Sequence, residues 1–190
     1  MNAILNPPGI EEDDMPLRPE LRIFDETSQR ESFSTRQKLP TLKRILLADD
    51  DNAICEMLGR VLESEYYEVL IAKTGQEAAA RFATGQPDLV LLDLNMPGLD
   101  GWEAFSMMCK SDPMVPVIVI TARPGQYATA VHLGIDAIME KPLDFDLLLE
   151  TVEGLLSETE IERTRRLTDP EFRTRYLNPP RRGRSIYDLL

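Results

Sequence analysis

The chain has 190 residues, of which 43% are hydrophobic, so it is long enough for one domain with a single core and flanking segments. Its 21 basic and 33 acidic residues give a formal net charge of -12, which disfavours binding to nucleic acids and to anionic membranes. No apolar run approaches the length of a membrane span, and the amino terminus lacks the basic start of a signal peptide, so we expect a cytoplasmic protein.

The first 41 residues differ in composition from the rest of the chain. They contain prolines at positions 7, 8, 16, 19 and 40, an acidic run over residues 11–14, and little apolar periodicity. Such a segment cannot bury enough apolar surface to form a core of its own. We therefore expect residues 1–41 to form a disordered or loosely ordered arm.

Short apolar runs alternate with amphipathic stretches from residue 44 onward, a pattern typical of a parallel sheet covered by helices. The apolar runs predict five strands, at residues 44–48, 69–72, 89–93, 116–121 and 137–139. Apolar residues at helical spacing predict five helices, at residues 52–65, 75–84, 101–111, 126–133 and 144–156. Asn52 and Asp144 are suitable N-caps, and Gly85 and Gly134 are placed to end helices. The sequence thus predicts five β–α units.

The chain after Leu156 is polar but compatible with a helix, which Pro170 is expected to end. Residues 157–190 contain eight arginines and six acidic residues, whereas residues 41–156 contain eight basic and nineteen acidic residues. We expect a helical extension into solvent, then a solvated arginine-rich tail, and no folded output domain. Two alternatives are that the tail folds back onto the acidic domain, or that it binds nucleic acid through Arg181–Arg184.

Charged or hydroxyl side chains end or follow four of the predicted strands: Asp49, Asp50, Asp51, Asp93, Thr121 and Lys141. In a doubly wound sheet the ligand site lies at the carboxyl ends of the strands, so these side chains are expected to converge. Several carboxylates in one place repel each other unless a cation lies between them, and oxygen ligands favour Mg²⁺. We expect Asp50 and Asp93 to bind Mg²⁺ directly and Asp49 to act through a water. The backbone carbonyl of Asn95 would supply a further oxygen.

Asp93 is the natural nucleophile of this group. A carboxylate attacks phosphorus when a metal ion and cationic side chains neutralise the group being transferred. Lys141 would then pair with one phosphate oxygen, and Thr121 would donate a hydrogen bond to another. The loop at residues 95–101 is expected to keep Asp93 exposed beside the metal, and a cis bond before Pro142 is one way to aim the lysine inward.

The motifs around these residues resemble the receiver domain of response regulators, the targets of sensor histidine kinases. The resemblance covers residues 42–156 and rests on four motifs, at residues 45–51, 87–101, 117–122 and 141–142. It implies a flavodoxin-like (βα)5 fold, which is a doubly wound parallel α/β sheet with strand order 2-1-3-4-5. It also implies Mg²⁺-dependent phosphotransfer from a phosphohistidine of a histidine kinase or phosphotransfer protein, followed by slow autodephosphorylation.

The resemblance assigns roles to five side chains. Asp49 and Asp50 match the acidic metal-binding pair, and Asp93 matches the phosphoacceptor. Thr121 matches the switch hydroxyl, and Lys141 matches the lysine of the last motif. A protein of this kind is a signalling phosphoacceptor and not a turnover enzyme, and a downstream protein target reads its state.

One position departs from the family pattern. The family often has an aromatic residue three places before the lysine, which swings inward on activation, but this chain has Ile138 there. Arg123 and Asn95 lie two residues after the switch hydroxyl and the phosphoacceptor, and they are candidates to set the lifetime of the acyl phosphate. Residues 126–156 correspond to the face by which relatives dimerise or bind targets, which allows a homodimer through the fourth helix, fifth strand and fifth helix.

Two functions of other classes stay open. A phosphatase would also use Asp93 as its nucleophile, but such enzymes place a second aspartate two residues later, where this chain has Asn95. A phosphorylation-independent interaction module would bind its partner through the tails, whatever the state of Asp93. The sequence contains neither of the common glycine-rich loops that hold nucleotide phosphates, so a nucleotide enzyme is not expected.

Overall fold

The computed structural model describes residues 42–169 and 171–177, which form one α/β domain. The elements in chain order are β1 (Arg44–Ala48), α1 (Asn52–Ser64), β2 (Glu68–Ala72), α2 (Gly75–Gly85), β3 (Leu89–Asp93), α3 (Gly101–Ser111), β4 (Val117–Thr121), α4 (Tyr127–Leu133), β5 (Ala137–Glu140), α5 (Phe145–Ser157), α6 (Glu160–Thr168) and β6 (Arg175–Leu177). From β1 to α5 the boundaries agree with the predicted ones to within one residue. The predicted arm at residues 1–41 and the arginine cluster at residues 181–184 lie outside the described residues.

The strands form one parallel sheet in the order β2-β1-β3-β4-β5-β6. This order confirms the predicted flavodoxin-like topology and adds a strand beside β5. Strands β3 and β4 are buried at every position, as expected for strands covered on both faces. Helices α2, α3 and α4 pack on one face, for example through Phe82 and Phe105, and helices α1 and α5 pack on the other, through Leu58 and Val152.

Asp144 and Gly134 cap helices as predicted. Asp144 caps α5 by accepting a hydrogen bond from the backbone N–H of Leu147 at 3.1 Å, and Gly134 ends α4 with a φ of 72°. The prediction that Asn52 caps α1 is wrong by one residue. The N-cap is Asp51, whose carboxylate is 2.8 Å from the backbone nitrogen of Ala53, and Asn52 is the first residue of the helix.

The prediction that residues after Leu156 extend the fifth helix into solvent is also wrong. Helix α5 ends at Ser157, and Thr159 starts the separate helix α6 with a capping box that includes Glu162. Helix α6 then leads into β6, which pairs with β5. Residues 157–169 and 171–177 therefore fold back onto the domain, the alternative that charge complementarity favoured. None of the described helices is long and apolar enough to cross a membrane.

Candidate functional site

The carboxyl ends of four neighbouring strands bring the predicted site residues together. Asp49 follows β1, Asp93 and Thr121 are the last residues of β3 and β4, and Lys141 follows β5. Asp49 and Thr121 are fully buried, and Asp93 is 2% exposed. The expectation of an exposed Asp93 is therefore wrong, because its neighbours on the sheet and the loop after β3 cover it.

Three carboxylates form an acidic cluster at this edge of the sheet. Asp49, Asp50 and Asp93 each offer an oxygen atom, and these three atoms lie within 4.8 Å of one another. Asp49 is held in place because its Oδ1 atom accepts a hydrogen bond from the backbone N–H of Asp51 at 2.9 Å. Asp50 is exposed to solvent, so a cation can reach the cluster from its side.

Lys141 neutralises part of the charge on the buried carboxylates. Its Nζ atom is 2.8 Å from Oδ2 of Asp49 and 3.5 Å from Oδ2 of Asp93. Burial by itself lowers the pKa of Lys141, but the hydrogen bond to Asp49 and the charges of both aspartates outweigh burial and raise it. Lys141 is thus held as a cation beside Asp93. The peptide bond between Lys141 and Pro142 is cis, the possibility that the sequence left open.

Asp93 occupies an unusual environment for a carboxylate. Its Oδ1 atom is buried, and it has no hydrogen-bond partner among the described residues. Burial raises the pKa of Asp93, the charge of Asp49 raises it further, and Lys141 acts in the opposite direction. A buried anionic oxygen without a partner is unfavourable by itself, and a cation or a phosphoryl group would relieve that cost.

The donor set fits a hard divalent cation. The three clustered side chains offer oxygen atoms only, one of the carboxylates is open to solvent, and Oδ1 of Asp93 has a free coordination capacity. Mg²⁺ takes oxygen ligands and usually combines one or two carboxylates with waters and phosphate oxygens. The residues therefore meet the requirements of Mg²⁺, the cation expected from the sequence.

The loops beside Asp93 are held by close backbone contacts. A Cβ atom at Gly101 would lie 2.5 Å from the backbone oxygen of Asp93, so the start of α3 can approach the end of β3 only with glycine there. On the other side of the site, Oγ1 of Thr121 accepts a hydrogen bond from the backbone N–H of Arg123 at 3.0 Å. Thr121 is thereby linked directly to the loop between β4 and α4.

Arg123 connects this loop with the loop after β3. Its Nε atom donates to the side-chain oxygen of Asn95, and its NH1 atom is 2.7 Å from Oδ2 of Asp100. Burial alone would raise the pKa of Asp100, but the hydrogen bond from Arg123 and the Trp102 amide outweigh burial and lower it. The sequence indicated Arg123 and Asn95 but not Asp100, which is the N-cap of α3 and whose ion pair with Arg123 joins residues 23 positions apart.

Ile138 does not lie on an exposed switch face. It is fully buried and packs in the core between the sheet and α2, α3 and α4. Its position on β5 directs the side chain inward in a parallel sheet that is covered on both faces. The side chain therefore already lies in the core, and a part of Ile138 in the switch stays a prediction.

A model of the response regulator receiver domain matches residues 45–153 of the sequence. The chain belongs to this family. The match spans β1 to most of α5, so α6 and β6 lie beyond the part that the family model describes.

Several characterised proteins are similar to this receiver domain. Response regulator MprA of Mycolicibacterium vanbaalenii is 36% identical over 118 residues, which is 61% of this chain and 51% of that protein. The alkaline phosphatase synthesis transcriptional regulatory protein PhoP of Bacillus subtilis is 33% identical over 121 residues, which is 63% of this chain and 50% of that protein. The chain thus spans about half the length of these curated relatives.

Solved structures have the same architecture. A CheY-like receiver domain protein of Methanospirillum hungatei aligns with a TM-score of 0.59 at 33% identity, covering 66% of this chain and 98% of that one. The response regulator TrrA of Thermotoga maritima, solved in complex with Mg²⁺ and BeF, aligns with a TM-score of 0.56 at 36% identity, covering 60% of this chain and 99% of that one.

Proposed function

We propose that Asp93 accepts a phosphoryl group from a phosphohistidine of a sensor histidine kinase or phosphotransfer protein. The observation that carries this proposal is the buried Oδ1 atom of Asp93, which has no partner among the described residues and belongs to the acidic cluster beside Lys141. Membership of the receiver family supports it.

The chemical step is a displacement at phosphorus. A carboxylate oxygen of Asp93 forms a bond to phosphorus while the phosphorus–nitrogen bond of the donor breaks, and the electron pair stays on the donor histidine, which takes up a proton. Asp49, Asp50, Asp93 and the backbone carbonyl of Asn95 would hold Mg²⁺, which neutralises charge on the transferring group when bound.

Lys141 and Thr121 would hold the transferred group in place. Lys141 is positioned to pair with a phosphate oxygen, since its ammonium group is already 3.5 Å from Asp93. Thr121 has a hydroxyl proton to donate, because its Oγ1 atom serves as acceptor for the amide of Arg123. Water would later hydrolyse the acyl phosphate, with Arg123 and Asn95 setting the rate through their position beside the site.

The product of this step is a signalling state and not a released metabolite. The site lacks a second aspartate two residues after Asp93, where Asn95 is bound by Arg123, so turnover of ordinary phosphate esters is not expected. We propose that a protein target in the cytoplasm reads the phosphorylated form. The formal net charge of -12 on this chain makes nucleic acid a poor direct partner for it.

Intact mass measurement after incubation with Mg²⁺ and acetyl phosphate tests the proposal. Wild type should gain one phosphoryl group that hydroxylamine removes, and Asp93→Asn should gain none. Asp146→Asn, which removes an exposed aspartate at the start of α5, is the matched control and should behave as wild type. Sustained release of phosphate from monoesters would favour a phosphatase, and folded protein without an adduct would favour a phosphorylation-independent module.

A further inference from the structure

Helix α6 is anchored to the domain by a buried ionic cluster. The carboxylate of Asp136, which is 3% exposed, accepts hydrogen bonds from Arg163 at 2.9 Å and from Arg166 at 2.8 Å. Arg166 also donates to both carboxylate oxygens of Glu158. Breaking this cluster leaves a buried charge uncompensated, so detaching α6 from Asp136 is unfavourable.

The strand that follows α6 covers the edge of β5 with only a short ladder. Residues 174–177, which we call the latch, comprise Thr174 and the three residues of β6. Tyr176 lies beside Ile138, and Leu177 lies beside Met139. The hydroxyl of Thr174 is buried without a hydrogen-bond partner among the described residues, which makes closure of the latch less favourable. The latch is attached by this short ladder and by Leu177, which is 6% exposed and packs in the core, whereas α6 is attached by ion pairs.

The latch contacts the segment that links the phosphoacceptor site to α4. Tyr127, the first residue of α4, donates a hydrogen bond through its hydroxyl to the backbone oxygen of Thr174 at 3.1 Å. The rings of Tyr127 and Tyr176 meet edge to face with centroids 5.4 Å apart. Movement of the start of α4 therefore changes the contacts that hold the latch.

A second contact joins the loop between β4 and α4 to the end of β5, beside the latch. Glu140, at the end of β5, accepts a hydrogen bond from the backbone N–H of Gly125 in the loop between β4 and α4, at 3.3 Å. Glu140 directly follows Met139, the residue of β5 that lies beside Leu177 of the latch. The loop is in turn bound to Thr121 through the amide of Arg123.

We propose that the latch is a reversible sixth strand that opens when Asp93 is phosphorylated, while α6 stays anchored to Asp136. The inference rests on the proposed function, because phosphorylation is the trigger. A phosphate on Asp93 draws the Thr121 hydroxyl into a new hydrogen bond, which moves the loop bound to it and strains the contacts of Gly125 and Tyr127. Opening frees backbone N–H and C=O groups of β5 that the latch otherwise pairs with.

Hydrogen–deuterium exchange of the full chain, read by mass spectrometry, tests the latch. With Mg²⁺ and acetyl phosphate, peptides that contain residues 174–177 should exchange about tenfold faster than without phosphodonor. Peptides from residues 160–168 of α6 should not change and serve as an internal control. The intact mass of the same sample records whether the phosphoryl group is present, and Asp93→Asn should show no acceleration.

Tyr127→Phe tests the contact itself without phosphorylation. Loss of its hydroxyl removes one hydrogen bond to the latch and keeps the ring, so exchange of residues 174–177 should rise about 2- to 10-fold. Tyr66→Phe is the matched control, because Tyr66 is 80% exposed in the turn after α1. Its exchange should equal that of wild type.

The possible failures are distinguishable. Phosphorylated protein with unchanged exchange at residues 174–177 would overturn the latch and leave the proposed function intact. Unphosphorylated protein under these conditions would overturn both. Equal acceleration of the latch and α6 would also overturn the proposal, since the whole carboxyl-terminal segment would then detach as one unit.

Discussion

Lys141 and Asp49 form a partly buried ion pair in which Nζ lies 2.8 Å from Oδ2. The same ammonium group is 3.5 Å from Oδ2 of Asp93, so one protein cation neutralises part of the charge on two carboxylates of the acidic cluster. A divalent cation bound by these carboxylates would sit in the same electrostatic field. Lys141 and Mg²⁺ are therefore expected to oppose each other's binding.

This relationship predicts that one substitution raises the affinity for Mg²⁺ and lowers the rate of phosphorylation. Lys141→Met should bind Mg²⁺ about tenfold more tightly than wild type, because the competing cation is gone. It should also take up the phosphoryl group more slowly, because no ammonium group pairs with the phosphate. Titration with Mg²⁺ monitored by Trp102 fluorescence measures the first effect, and intact mass over time measures the second. Lys110→Met, at an exposed position of α3, is the control, and unchanged Mg²⁺ affinity in Lys141→Met would contradict the competition.

Mg²⁺ is also expected to stabilise the folded protein. Because the unfolded chain lacks the assembled cluster, ligand at a hundred times its dissociation constant adds about 2.7 kcal/mol to the free energy of unfolding. Asp50 is exposed, so Asp50→Asn should leave the Mg²⁺-free protein about as stable as wild type but remove most of this gain. Thermal melts with Mg²⁺ or with EDTA test the difference, with Asp146→Asn as the control. An equal Mg²⁺ gain in Asp50→Asn would exclude Asp50 as a ligand.

The sequence was sufficient to predict the sheet and the site because both depend on local patterns. Apolar runs long enough for buried strands define β1 to β5, and the carboxyl ends of parallel strands meet at one edge of the sheet. Asp49, Asp93, Thr121 and Lys141 could therefore be grouped without any knowledge of distances. Their roles in phosphotransfer stay predictions.

The carboxyl-terminal segment was not predictable in the same way. Helix α6 is almost entirely polar, and β6 has only three residues, so neither gives an apolar pattern. What holds α6 is Asp136, a single aspartate before β5, which binds two arginines that come about thirty positions later. Charge balance alone indicated an attraction between tail and domain but could not identify this partner.

Removing the charge of Asp93 should stabilise the protein in the absence of Mg²⁺. Burial raises the pKa of Asp93 above its unfolded value, so the folded state binds a proton more readily than the unfolded state, and ionisation at neutral pH costs stability. Asp93→Asn should therefore unfold with a free energy about 1 kcal/mol higher than wild type at pH 7 in EDTA. The difference should shrink as the pH falls through the raised pKa and wild type becomes protonated. Urea unfolding at several pH values measures it, and a less stable Asp93→Asn at pH 7 would contradict the argument.

Arg123 should slow hydrolysis of the acyl phosphate by holding Asn95 beside the site. Arg123→Ala frees the Asn95 side chain and opens the space above Asp93 to water, so loss of the phosphoryl group should be about tenfold faster, equivalent to about 1.4 kcal/mol. The decay of phosphorylated protein after removal of phosphodonor, followed by intact mass, measures this rate. Arg81→Ala breaks an exposed ion pair with Glu77 on α2 and should decay as wild type does.

A double variant shows whether Arg123 and Asn95 affect the decay of the acyl phosphate together or independently. If Arg123 acts through Asn95, the variant with both Arg123→Ala and Asn95→Ala should decay no faster than Arg123→Ala alone. Additive effects of the two substitutions would show that each residue acts on the phosphate or on water independently. Unchanged decay in both single variants would remove Arg123 and Asn95 from the control of the lifetime.

Asp136 should contribute far more to stability than a surface acid. Asp136→Asn removes the carboxylate that Arg163 and Arg166 share and leaves Arg163 with Glu158 at 3.9 Å, and because Arg163 is only 6% exposed its charge is poorly hydrated. The expected loss is about 3–5 kcal/mol in the free energy of unfolding. Glu68→Gln, which breaks the exposed pair with Arg44, should cost only about 0–1 kcal/mol. Urea unfolding compares the two variants. Equal losses of unfolding free energy in Asp136→Asn and Glu68→Gln would mean that the buried cluster does not hold α6 on the domain. The same small loss in Arg163→Met would support that conclusion.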